Sequence, residues 1–124
     1  MAYVVQENVI MLKITKHQGN LFELTAEGTL DHGDYQRVLP EIEEVADEGG
    51  LRMLITLRDF SGWTPKAVAD DLAFDVAHRD DFEKIAIVGE KKLEEWATKL
   101  SKPFFSGEMK FFEEEAPARA WVRA

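Results

Sequence analysis

The chain has 124 residues, of which 45% are apolar and 31% charged, and its 24 acidic side chains against 15 basic ones leave a net charge of −9. This composition supports one buried core and excludes a disordered chain. The acidic balance argues against a nucleic-acid partner, which would need a basic face. Cysteine is absent, which excludes disulfides, thiolate nucleophiles and Cys-ligated metals.

No apolar run approaches the roughly 18 residues of a membrane-spanning helix. The start, MAYVVQENVI, has neither a basic segment nor a long apolar core, so it does not read as a signal peptide. A single cytoplasmic domain over residues 1–124 is the expectation, with no visible linker or repeat.

Residues 8–15 (NVIMLKIT) and 20–28 (NLFELTAEG) read as strands joined by Lys16-His17-Gln18-Gly19, which predicts an antiparallel hairpin. A helix follows near 32–48. Tyr35, Val38, Leu39, Ile42, Val45 and Ala46 make one apolar stripe, with Asp31 placed to cap its start and Gly49-Gly50 to stop it. Pro40 is expected near a first helical turn. Leu51–Leu57 reads as a strand. Thr64 before Pro65 opens a second helix that runs to about His78. Lys84–Val88 is a strand. A third helix is expected over 90–100 with Leu93, Trp96, Ala97 and Leu100 on one face. Met109–Phe112 is a short strand, and Pro117–Val122 starts a last helix with Trp121 and Val122 inside.

The order is ββαβαβαβα, an α/β fold with an N-terminal hairpin and a mostly parallel five-stranded sheet with right-handed crossovers. Alternation along the strands sets Met53, Ile55 and Leu57 against Arg52, Leu54 and Thr56, and Met109 and Phe111 against Lys110 and Phe112. Strands buried on both sides would read as unbroken apolar runs. Most helices should therefore cover one face, leaving the face with Leu54, Val88 and Phe112 partly covered.

Two stretches carry a family resemblance: Gly28-Thr29-Leu30-Asp31-His32-Gly33-Asp34-Tyr35, and Phe82-Glu83-Lys84-Ile85-Ala86-Ile87-Val88-Gly89-Glu90-Lys91-Lys92, continuing through Trp96 and Lys99 to Pro103-Phe104-Phe105-Ser106-Gly107-Glu108. On these the chain resembles the STAS domains and, more closely, the small bacterial SpoIIAA-like family. The resemblance implies a βα superhelix of consecutive strands, akin also to the CRAL-TRIO fold. It implies an interaction or ligand-sensing module and no enzyme, in a group regarded as binding apolar ligands or associating with membranes. Anti-anti-sigma members carry a phosphorylated serine at the start of the helix after the third strand. Here that region reads Arg58-Asp59-Phe60-Ser61-Gly62-Trp63-Thr64-Pro65-Lys66, without the Asp-Ser pair, and Thr64 is better explained as an N-cap.

Chemistry-bearing patterns are sparse. His17, His32 and His78 have no ligand-spaced partner in the sequence. Asp71 and Asp75 are i, i+4 neighbours on the second helix and read as a solvated face, not a metal or acid pair. Asp59 follows a central strand, as a phosphoacceptor does, but the other residues of a receiver site are missing. No phosphate loop or nucleophile elbow is present, so no catalytic residue, cofactor or metal is expected.

The second helix is more informative. Val68, Ala69, Leu72 and Val76 are expected to form its core stripe, with Phe74 on the far side and Phe60 and Trp63 just before it. Apolar groups on two sides of one helix mean either a second neighbour, with Phe60 and Trp63 plugging the core edge and Phe74 meeting the third helix or a second subunit, or a movable lid over an apolar cavity. The expectation is a binding module whose ligand, an apolar small molecule or lipid, meets Leu30, Phe60, Trp63, Phe74 and Val88, with peripheral membrane contact included. The alternative is a regulator acting through a protein partner or a homodimer.

Overall fold

The computed structural model describes residues 11–78, 80–93 and 107–124. Its strands are β1 (Leu12–Gln18), β2 (Leu21–Leu30), β3 (Leu51–Trp63), β4 (Phe82–Val88) and β5 (Glu108–Phe112). Its helices are α1 (His32–Ala46), α2 (Pro65–Ala77) and α3 (Glu115–Arg123), with a 3-10 turn at Lys91–Leu93. The expected third helix beyond Leu93, with Trp96, Ala97 and Leu100, and the Pro103-Phe104-Phe105 segment lie outside the described residues, as do residues 8–10 of the first strand.

The five strands pair in chain order. β1 runs antiparallel to β2, and each later neighbour is parallel. Gly19, at φ 62, turns the hairpin in the left-handed region that glycine tolerates. Asp31 caps α1 through a reciprocal box with Asp34. Tyr35, Val38, Ile42 and Ala46 are buried, as the stripe predicts. Pro40, by contrast, sits inside α1. It lies on the exposed side, where water can satisfy the carbonyl that its missing N–H leaves free.

Strand alternation divides the core as expected. α1 and α2 cover the face of Phe22, Leu24, Ala26, Met53, Ile85 and Ile87. α3 packs Ala118 and Val122 on the other face, against Leu21, Leu54, Ala86 and Val88. Trp121 is only half-buried, beside Phe112.

α3 is held by charge as well as by packing. Glu23, 6% exposed on β2, accepts hydrogen bonds from Arg119 Nη2 at 2.8 Å and Nε at 3.2 Å. Hydrogen bonding to Arg119 holds the Glu23 carboxyl below its usual range. At the helix C-terminus, Arg52 donates to the Val122 carbonyl and Lys84 to the Trp121 carbonyl, meeting the oxygens that a helix end leaves unpaired.

β3 extends further than the alternating run suggested, through Trp63. Its pairing with β2 skips Asp59 between Arg58 and Phe60, and Ser61 between Phe60 and Gly62. Asp59 takes φ 46. Plain alternation after Leu57 would turn Phe60 outward. The extra residue at Asp59 turns it inward opposite Gly28, and the one at Ser61 sets Trp63 opposite Leu30.

Arg119→Ala leaves the Glu23 carboxylate buried without its hydrogen-bonded partner, with Arg123 at 3.7 Å and the charge of Lys16 across the strand pair. It should cost about 2 kcal/mol in urea unfolding, whereas Glu23→Leu should cost under about 1 kcal/mol. Equal losses from the two variants would contradict this account of the pair.

Candidate functional site

A partly open cavity of about 110 Å³ lies between the sheet and helices α1 and α2. Its wall is almost wholly apolar. β2 supplies Leu24, Ala26 and Leu30, β3 supplies Met53, Ile55 and Leu57, and β4 supplies Ile85 and Ile87. Phe60 and Trp63 come from the bulged end of β3 and pack edge to face, with ring centroids 5.0 Å apart. The structure thus brings Leu30, Phe60, Trp63 and Phe74 to one cavity.

Val88 is not part of it. On β4, Ile85 and Ile87 face the cavity, so the next residue points through the sheet into the cluster with Leu54 and Val122. Its expected place among the ligand-binding residues is corrected by strand alternation.

The orientation of α2 also differs from expectation. Its buried residues are Ala67, Phe74 and Asp75, not Val68, Leu72 and Val76. Phe74 is 7% exposed and packs edge to face on Phe82, whereas Val76 is 52% exposed. A hydrogen-bonded chain accompanies this rotation. Trp63 Nε1 donates to the Tyr35 hydroxyl at 2.7 Å, and that hydroxyl donates to Asp71 Oδ1 at 3.2 Å. His32 on α1 also bonds to Asp70 on α2. Thr64 caps α2 by accepting from the Ala67 amide, the role its sequence position indicated.

Asp71 and Asp75, which sequence reasoning placed on a solvated face, therefore line the apolar cavity. Asp75 is 8% exposed. Burial pushes its carboxyl up to about 8, with the charge of Asp71 adding to the rise. Asp71 keeps some solvent contact but is densely surrounded, and burial pushes it up to about 6 against the hydrogen bond from Tyr35. The two titrate as a pair that retains about one proton near neutral pH. Burial, and then the negative charge of Asp71, hold the Tyr35 hydroxyl protonated far above its ordinary range. The i, i+4 spacing was the available signal for this pair. The facing Tyr35 was not visible beside it.

Elsewhere, His78 Nδ1 lies 2.9 Å from Asp81 Oδ2 and 3.9 Å from Asp47 Oδ1. One ligand atom from each of these three residues falls within 4.8 Å of the others. The sequence did not reveal this grouping, because Asp47 follows α1 while the others follow α2. The His78–Asp81 hydrogen bond accounts for the contact, and Asp47 is exposed. His17 stacks on Phe22 at 3.9 Å and bonds to Gly19 within the hairpin turn.

Phe74→Ala should destabilise the protein by about 3 kcal/mol in urea unfolding, the range for a buried aromatic; a loss below about 1 kcal/mol would place the ring outside the core. A pH difference curve tests Asp75. The unfolded chain releases this proton near the ordinary aspartate value of 3.8, while the folded chain keeps it to about 8. The group's contribution to stability therefore falls as pH rises across that window. Asp75→Asn should gain in Tm over the parent by about 4 °C or more between pH 5 and pH 8.5. A pH-independent offset would contradict the buried, raised carboxyl.

Comparison with known proteins follows the same lines as the fold. A family model described as SpoIIAA-like matches residues 21–123. A solved structure from Shewanella loihica, an uncharacterised protein of the DUF3478 family with a SpoIIAA-like fold, is 30% identical with a TM-score of 0.78. The match covers 93% of this chain and 96% of that one. No curated protein matches. In strand order, in the hairpin followed by parallel βα units and in the span of the match, the chain belongs to the SpoIIAA-like family.

Proposed function

We propose that this protein is a non-enzymatic binding module that takes a small, largely apolar guest between its sheet and helices α1 and α2. The observation that carries the reading is the cavity of about 110 Å³, with its wall of Leu, Ile, Met and aromatic side chains. Its size approaches the roughly 150 Å³ of an apolar cavity that stays dry and accepts benzene or xenon. A dry void forgoes dispersion contacts that a guest restores, and burying the guest adds roughly 25 cal/mol per Å² of its apolar surface.

The gate of this module is Phe60 and Trp63 at the bulged end of β3. Trp63 is half-buried and tied to Tyr35 by its indole N–H. The polar groups at the cavity are two carboxyls and a tyrosine, with neither a nucleophile activated by a base nor a phosphate cradle among the described residues. That set suits recognition better than covalent chemistry.

A second reading, regulation through a protein partner, is favoured by one observation. Val68, Leu72 and Val76 repeat at i, i+4, i+8 along the outer side of α2, with Val76 exposed and the other two half-buried. Among the described residues no helix is long and apolar enough to cross a membrane.

Benzene at about ten times its dissociation constant should raise Tm by about 3 °C or more, because it binds only the folded chain. Leu57→Phe adds bulk to the cavity wall and should abolish the shift while leaving the circular-dichroism spectrum unchanged. Absence of a shift in the parent protein, or an undiminished shift in Leu57→Phe, would contradict cavity binding.

A further inference from the structure

The carboxyls at the cavity stand apart from the other strongly placed acids of the molecule. Glu23 is paired with Arg119, Asp34 with Arg37 and Glu83 with Arg52, while Asp70 bonds to His32 and Asp81 to His78. Asp71 and Asp75 have the Tyr35 hydroxyl and each other. Among the described residues, no Lys, Arg or His forms an ion pair with either one. A buried carboxylate without a countercharge is costly, and two apolar side chains of similar size would pack this wall at lower cost. The pair also faces the cavity, with Asp75 more than nine-tenths buried and on its wall. The cavity therefore presents one polar corner in an otherwise apolar lining. That corner consists of acceptor oxygens and one hydroxyl, and its charge at neutral pH is negative.

We propose that the guest of this cavity is a small amphipathic amine, its ammonium seated at the Asp71 and Asp75 carboxylates and its apolar tail among Leu24, Ile85 and Phe74. The proposal rests on the cavity being a binding site, and it names the chemistry that the site selects. An alkylammonium supplies up to three N–H donors to oxygens that otherwise share a proton, and it supplies the missing positive charge in a water-poor setting, where such a pair is strong. A fatty carboxylate would place a third acid against the same corner and is rejected by charge. An alcohol satisfies the hydrogen bonds but leaves the charge unpaired. The tail is short, about the bulk of a benzene ring, because the enclosed space of about 110 Å³ approaches the roughly 150 Å³ of a cavity that accepts one.

Calorimetric titration of the full chain at pH 8 with hexylammonium, hexan-1-ol, hexanoate and methylammonium tests this. At that pH an alkylammonium is still charged, as a lysine is. Hexylammonium should bind at least about tenfold more tightly than hexanoate and methylammonium. The preference should persist in about 0.3 M salt, which screens surface charge but not a buried pair. Asp75→Asn, and Asp71→Asn together with it, should reduce hexylammonium affinity about tenfold while hexanol binding is retained. Hexanol binding with no preference for the amine would overturn the amine assignment and leave the cavity reading standing. Equal binding of methylammonium, or an amine preference that survives both substitutions, would overturn it as well, since only surface charge would then be recognised. Binding of none of the probes would overturn the cavity reading and this inference together.

Discussion

The apolar inner face of a five-stranded sheet has to be kept from water, and in the described chain α1 and α2 cover it. How α2 meets that face determines the rest of the site. α1 lays Tyr35, Val38 and Ile42 on the sheet along an unbroken stripe. α2 has Phe74 as its one large inward side chain, flanked by Ala67 and two aspartates. A small residue and two acids cannot fill the space that a leucine and two valines would fill. The volume left over is the cavity, and the aspartates stand on its wall.

The polar chain from Trp63 through Tyr35 to Asp71 explains why α2 adopts this rotation in place of the more apolar one. Burying Val68, Leu72 and Val76 would gain apolar area but would leave the buried Tyr35 hydroxyl facing no acceptor. An unmet buried polar group costs about 1–3 kcal/mol. The observed rotation gives Tyr35 an acceptor in Asp71 and gives Trp63 an acceptor in Tyr35. The consequence is a pair of carboxyls held above their ordinary range by burial. A pair of carboxyls raised by burial on the wall of an apolar cavity is a candidate functional site, because packing alone would favour apolar residues there.

Much of the fold was legible in the sequence. The opposition of Met53, Ile55 and Leu57 to Leu54 and Thr56 assigned both sheet faces. The Tyr35–Val38–Ile42 stripe assigned α1, and Thr64 before Pro65 located the start of α2. The site was legible in part. Leu30, Phe60, Trp63 and Phe74 do come together, yet two of them do so through a feature that no local pattern announces. The extra residues at Asp59 and Ser61 shift the parity of β3 and swing Phe60 and Trp63 inward, and the register with Gly28 and Leu30 appears only once β2 is placed beside it. Val88 illustrates the converse, since plain alternation on β4 already assigned it to the other face. The inversion of α2 was not legible because its helical wheel has apolar residues on two sides. Choosing between them required the buried hydroxyl of Tyr35, which sits 36 positions from its partner Asp71.

Guest binding requires a persistent hollow beneath α2, walled by Leu24, Met53, Ile85 and Phe74. Crystallography of the protein under xenon pressure tests it most directly, because xenon occupies apolar voids of this size without needing a polar partner. A strong xenon peak should appear between the sheet and α2, within van der Waals reach of those side chains and with little movement of the helix. A crystal in which α2 closes onto the sheet, so that Val68 and Leu72 fill the space and xenon finds no site there, would contradict it.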